Sequence, residues 1–229
     1  LGGHPGYSPQ RVCQPFGQDL TRKSMGALFA MACTALSAVS HGAEPAPLAF
    51  VDAHTHLMVE NLTHDEEIAL LKKAGIARVV LMHTEPGALA ALARQHPGFV
   101  IPSLSFTRPA ANSVKLDEKA GALVGALIAD HAICSVGEIG GGNFSASSEP
   151  VRAIFGAAAA GGAPVNVHTD LAIPENIAAV EQAVSAHPKL QFVLAHLGWT
   201  AGPELIGRLL DAHPNLHTDM SIRLDPPGS

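Results

Sequence analysis

The sequence predicts an α/β fold, a TIM-type (β/α)8 barrel that stops after its seventh strand, and three observations predict it. From Ala49 onward, short β-type runs alternate with Ala- and Leu-rich helical stretches, the pattern of parallel strands joined by crossover helices. His-Pro pairs recur where a helix gives way to a strand. Imidazole- and carboxylate-bearing residues end several of the apolar runs: positions 138 and 168 are 30 apart, 168 and 196 are 28 apart, and 54 and 138 are 84 apart, three steps of 28. One strand-plus-helix unit per step accounts for these intervals.

The seven runs lie near residues 49–53, 77–82, 99–105, 133–138, 164–168, 191–196 and 216–220. Between helix and strand, His96-Pro97, His187-Pro188 and His213-Pro214 repeat one device. Proline stops the helix, and a histidine in the last turn suits the negative end of the helix dipole. These three histidines stand at strand starts, the stability face of a barrel, and are read as structural.

The composition, 47% hydrophobic and 15% charged with a positive mean hydropathy, allows a substantial core in one domain. A net charge of -6 without a basic cluster removes the electrostatic footprint of a nucleic-acid binder and favours a small-molecule substrate as partner, with room for a homo-oligomer. Cys13, Cys33 and Cys134 show no Cys-x-x-Cys spacing, so neither a disulfide framework nor a thiolate metal site is expected.

Residues 1–48 read differently from 49–229. Arg22 and Lys23 precede the apolar run 25–39, small residues follow at 40–43, and then comes a short linker containing Pro45 and Pro47. Charged, apolar and small-residue regions in that order predict a secretory signal, and hence an exported, periplasmic or secreted, barrel with no membrane span after cleavage. The run is shorter than the roughly 20 residues that cross a bilayer. The preamble 1–21 does not fit a signal and suggests a misplaced start or a fragment.

At the other ends of the strands the polar residues differ in kind. His54 and His56, two apart at the close of the first strand, point to one face while Thr55 points to the other, so both imidazoles can share one cation. Glu138 follows the fourth run, His168 the fifth and His196 the sixth. A parallel barrel gathers all strand C-termini at one mouth, where residues distant in sequence converge. Four imidazoles and one carboxylate make a nitrogen and oxygen cage for Zn²⁺, with Mn²⁺, Fe²⁺ and Co²⁺ also compatible. The alternative, satisfied core histidines beside a solvated Glu138, is disfavoured because imidazoles and carboxylates buried at a mouth must be paired or coordinated.

The ordered set His54-x-His56, Gly137-Glu138-Ile139-Gly140, His168 and His196 resembles the amidohydrolase superfamily over about Phe50 to Leu224. The Gly137–Gly140 segment looks TatD-like. Leu194-Ala195-His196-Leu197-Gly198-Trp199 and Pro214-Asn215-Leu216-His217-Thr218-Asp219 look more like the amidohydrolase-related (amidohydrolase 2) branch, which is favoured because it accounts for the longer stretch. The resemblance implies that His54, His56, His168, His196 and Glu138 hold one or two divalent ions, with Glu138 a candidate bridge and Glu138 and His196 the catalytic candidates. Gly140 to Gly142 would let the adjacent loop approach the site.

The same resemblance implies a metal-dependent hydrolase that activates water to cleave an amide, ester or lactone. The rivals are a metal-dependent decarboxylase of the same superfamily, a TatD-like nuclease or phosphoesterase, and a truncated, non-catalytic metal-binding chain. The family places a proton-shuttling Asp after an eighth strand, and the sequence stops at Ser229 before one; neither Asp219 nor Asp225 is taken as its substitute. A chain without that strand is expected to be nearly inactive. Asp52 and Asp170 are read as orienting neighbours, and His83, His217 and Asp219 as candidates for the substrate pocket.

Overall fold

Seven apolar runs become seven parallel strands in a computed structural model, which describes residues 50–107, 113–140 and 145–221. The element order is β1 (Phe50–Thr55), α1 (His64–Lys73), β2 (Ile76–His83), α2 (Pro86–Gln95), β3 (Val100–Leu104), α3 (Ala120–Ala129), β4 (Ser135–Gly140), α4 (Glu149–Gly161), β5 (Val165–His168), α5 (Pro174–Ala186), β6 (Phe192–Leu194), α6 (Pro203–Ala212) and β7 (Leu216–Thr218). The strands follow one another in sequence order through a single sheet, every neighbouring pair parallel. Right-handed strand–helix–strand units stacked in this way curl a sheet. The curl is visible in one contact: His54 on β1 and Asp219, just past β7, are hydrogen-bonded although they belong to the two ends of the sheet.

Local chemistry sets the helix limits. Thr63 caps α1 reciprocally with Glu66, each side chain bonding the other residue's backbone N–H. α2, α4, α5 and α6 each begin with a proline in the first two positions, where no helical N–H is needed. His96, His187 and His213 are the C-caps of α2, α5 and α6, as the His-Pro pairs predict. Between sheet and helices lie the fully buried Ile68, Leu81, Leu89, Leu104, Ile139, Ile154 and Leu194. Phe155 of α4 meets Phe192 of β6 edge to face at 5.2 Å, and burying such a ring contributes about 1.5–3 kcal/mol.

Two expectations are corrected. β6 ends at Leu194 rather than at His196, because the backbone turns left-handed at His196 and Leu197 (φ 56° and 54°). Cys134 is disulfide-bonded, which the cysteine spacing did not predict. The proposed signal segment, residues 1–48 generally, Gly141, Gly142 and Asp225 lie outside the described residues. Among the described residues no helix is long and apolar enough to cross a membrane.

Candidate metal centre

Strand alternation puts His54 on one face of β1 and buries Thr55 on the other, and His56 follows immediately. Glu138 sits in β4 between two glycines that the close approach of β5 demands. A Cβ on Gly137 would lie 2.6 Å from Asn166 Cβ, and one on Gly140 would lie 2.4 Å from His168 Cβ. Only a residue without a side chain fits either place. His168 closes β5. His196 rides on the short turn Ala195–Gly198, which is pinned to the end of β7 by Asp219 N–H to Leu194 O (3.1 Å) and Leu197 N–H to Asp219 O (3.0 Å).

These elements aim five side chains at one point. Glu138 Oε1 lies 3.1 Å from His196 Nε2 and 3.8 Å from His54 Nε2, and His168 Nδ1 is its closest partner. Glu138 Oε2 lies 3.4 Å from His56 Nε2, and the Thr107 hydroxyl donates to it at 3.3 Å. His54 Nε2 and His56 Nε2 face each other at 3.2 Å. The ligand atoms form three overlapping triples, His54–His56–Glu138, Glu138–His168–His196 and His54–His196–Asp219, with the Glu138 carboxylate common to the first two. Trp199 lines the same place, its ring 5.1 Å from that of His168 and 5.4 Å from that of His196, with 38% of its surface exposed.

The outer edges of two rings are held. His54 Nδ1 bonds Asp219 Oδ2 at 2.9 Å, and His196 Nδ1 bonds Ser221 Oγ at 2.8 Å. Burial alone would raise the Glu138 carboxyl; hydrogen bonds from His168 and His56 and the nearby imidazoles outweigh it and hold the group far below the usual carboxylate range. Asp219 is depressed in the same way, burial being outweighed by hydrogen bonds from His54, Ser221 and the His196 N–H. Burial lowers His54, but the Asp219 hydrogen bond and the charges of Asp219 and Glu138 raise it overall. His196 is lowered by burial and by the charge of His54.

This donor set fits a first-row divalent cation. An acceptor-only carboxylate behind His54 leaves its Nε2 with a lone pair aimed at the Nε2 of His56, an arrangement that a cation between the rings stabilises. The amidohydrolase family model matches residues 41–227. The chain belongs to the amidohydrolase family.

Comparison of this amidohydrolase with curated proteins finds no match. Among solved structures, it resembles an uncharacterized TIM-barrel protein from Bordetella bronchiseptica at 18% identity and a TM-score of 0.55, over 71% of this chain and 60% of that one. A probable 2-pyrone-4,6-dicarboxylic acid hydrolase from Acinetobacter baumannii aligns at 14% identity and 0.54, over 76% and 71%. A dihydroxybenzoic acid decarboxylase from Polaromonas, solved with bound manganese, aligns at 10% identity and 0.50, over 74% and 77%. These likenesses show the fold, a TIM barrel, of which this amidohydrolase spans 60% of the first protein's length.

The structure brings His54, His56, Glu138, His168 and His196 together. It does not bring His83 or His217 into that cluster. His83, at the end of β2, accepts the Glu85 N–H at 3.0 Å, and its ring faces that of His64; burial, followed by the His64 charge, lowers its pKa. His217 is exposed and bonds Gln191 Oε1 at 2.7 Å; register sets it level with Val193 and Asn166, two residues short of His168. Asp219, expected along the pocket, is buried, and both of its oxygens are engaged by protein donors. Sequence reasoning missed Ser221, Asn166, Thr107 and Trp199. Only Trp199, the sole tryptophan of the chain and three residues after His196, left a signal.

Proposed function

We propose that this amidohydrolase is a metal-dependent hydrolase that cleaves an amide, ester or lactone bond of a small molecule. The observation that carries the reading is the single buried carboxylate shared by two ligand triples. His54 and His56 would hold one side of the centre, His168 and His196 the other, and Glu138 would bridge them. When bound, a divalent ion acidifies water and polarises a carbonyl or phosphoryl oxygen, which makes hydrolysis feasible at neutral pH. Zinc suits this mixture of imidazole and carboxylate, and manganese, which the Polaromonas neighbour binds, suits it as well.

The chain's own groups supply position and polarity. Glu138 Oε1 lies nearest to three ring nitrogens, which would make Glu138 and His196 the residues closest to the chemistry. The half-exposed Trp199 ring offers one apolar wall beside that point. A second reading, metal-dependent decarboxylation, has support from the Polaromonas neighbour, since the same fold carries that activity there. The experiment is to load the chain with Zn²⁺ or Mn²⁺ and assay amide, ester, lactone and aromatic-acid panels, following both hydrolysis products and carbon dioxide. Hydrolysis without carbon dioxide supports the first reading, and carbon dioxide release supports the second. We further propose export, on the strength of the ordered charged, apolar and small-residue regions of residues 22–43; mass spectrometry of a secreted or periplasmic fraction tests it, and a retained 25–39 segment would argue against it.

A further inference from the structure

We propose that the substrate of this centre is an uncharged aryl amide, ester or lactone, with its aromatic ring stacked on Trp199 and the scissile group attached directly to that ring. The inference rests on the hydrolase reading above for the bond that is cleaved, and on Trp199 and the segments around the mouth for the class of molecule.

Exposed apolar side chains gather at the mouth. Met58 follows β1, Leu116 follows β3, Ile173 follows β5, Trp199 follows β6 and Met220 follows β7, each on a segment that leaves the C-terminal end of a strand. Among the described residues the helices expose only one large apolar side chain, Leu70. Apolar surface collected at a barrel mouth marks a place where an apolar ligand is covered. Trp199 is the member of this set that stands beside the centre, 5.1 Å from the His168 ring and 5.4 Å from that of His196. Its backbone is held at φ 64° and ψ -97°, in the left-handed region that side chains rarely adopt, at a cost of about 1–3 kcal/mol. Both neighbours are tied to the segment after β5: Gly198 O accepts the Leu171 N–H at 3.1 Å, and the Thr200 hydroxyl donates to Asp170 Oδ1 at 2.5 Å. A ring fixed in this way loses little freedom when a ligand stacks on it. Its closeness to two ligand rings leaves space only for a scissile group attached directly to the stacked ring.

Charge narrows the class further. Among the described residues, the segments after β1, β2, β5, β6 and β7 carry Glu60, Glu85, Asp170 and Asp219 but no Lys or Arg. Lys115 and Lys119, after β3, stand in sequence with Asp117 and Glu118. A carboxylate on the substrate ring would meet like charge on those five segments, which disfavours an aromatic acid.

Trp199 is the sole tryptophan, so its fluorescence reports this position alone. The test titrates the whole chain, before metal is added, with acetanilide (an uncharged aryl amide), benzoate (an aryl anion) and δ-valerolactone (uncharged and not aromatic), following Trp199 emission and, in parallel, calorimetry. Acetanilide is expected to shift the emission saturably and to bind about 10-fold more tightly than either of the others, the worth of a well-placed aromatic pair. Trp199→Ala, followed by calorimetry, is expected to lose about that factor, and Trp199→Phe to keep most of it. Benzoate or δ-valerolactone binding as tightly as acetanilide overturns the proposal, and this comparison decides even if Trp199→Ala does not fold. Unchanged acetanilide affinity in a folded Trp199→Ala variant overturns it as well. So does a Trp199 ring that acrylamide fails to quench before any ligand is added, since the ring is then already covered by protein, for example by a second copy of the chain. Zinc uptake, measured separately, keeps the two readings apart. A chain that binds acetanilide on Trp199 but takes up no zinc supports the aryl site and removes the metal reading, whereas a chain that takes up zinc and ignores acetanilide overturns the aryl site alone.

Discussion

At the strand-start end of the sheet, His96, His187 and His213 each close a helix and precede a proline, whereas at the opposite end His54, His56, His168 and His196 surround a buried carboxylate. The partners differ more than the residues do. His96 bonds Asp65 at 2.8 Å and Lys72 at 3.3 Å in solvent, and His213 stands 4.0 Å from the half-exposed Glu181. Exposed pairs of this kind contribute between nothing and about 1 kcal/mol. Glu138 and Asp219 are instead nearly sealed from water, where an unmatched charge is costly, and each is met by several donors. A histidine's role in this chain follows from which end of a strand it occupies and from the carboxylate it finds there.

The sharpest way to break that contrast is at the shared ligand. Glu138→Ala should weaken divalent-metal binding by more than about 100-fold, beyond the range for an outer partner, because it removes a ligand from two of the three triples. Chelator competition measures it, and near wild-type affinity would make the two ends equivalent. Next in size, Gly140→Ala drives a methyl group to within 2.4 Å of His168 Cβ and 2.5 Å of its carbonyl oxygen. Over-packing of this kind should cost about 1–3 kcal/mol and displace the β5 ligand, which thermal melting and metal titration would register together. A melting point like that of the wild type would show that the strands part more easily than their packing suggests.

The smallest effects belong to the other end. His96→Ala, His187→Ala and His213→Ala should each lower stability by no more than about 0.3–1 kcal/mol, the worth of a side chain at a helix C-terminus. Metal content should stay at the wild-type level in all three. Loss of metal in any of them would break the separation of the two ends.

Much of this contrast was legible before folding. His-Pro at a helix end has a local meaning, because proline stops the helix and the histidine must be near its last turn. The five converging residues were legible because apolar runs of strand length end on them at one-unit spacing, and parallel strands bring such ends together. Asp219 was not legible in its role: 165 positions separate it from His54, and only the curl of the sheet brings them together. Its neighbour Ser221 carried no pattern at all. The end of β6 was misread because Ala195, His196 and Leu197 continue an apolar run while the backbone leaves the strand, and hydrophobicity does not report a left-handed turn. The apolar run puts His217 in a strand, and it is in one, but register sets it a layer short of the cluster.

The central claim is that His54, His56, Glu138, His168 and His196 hold metal as a unit, and elemental analysis of purified chain after metal-supplemented expression tests it most directly. The account predicts roughly one to two equivalents of a divalent transition ion per chain, since the ligands are in place once the chain folds, and a loss of that metal in Glu138→Ala. Less than about a tenth of an equivalent in folded wild-type chain would contradict it.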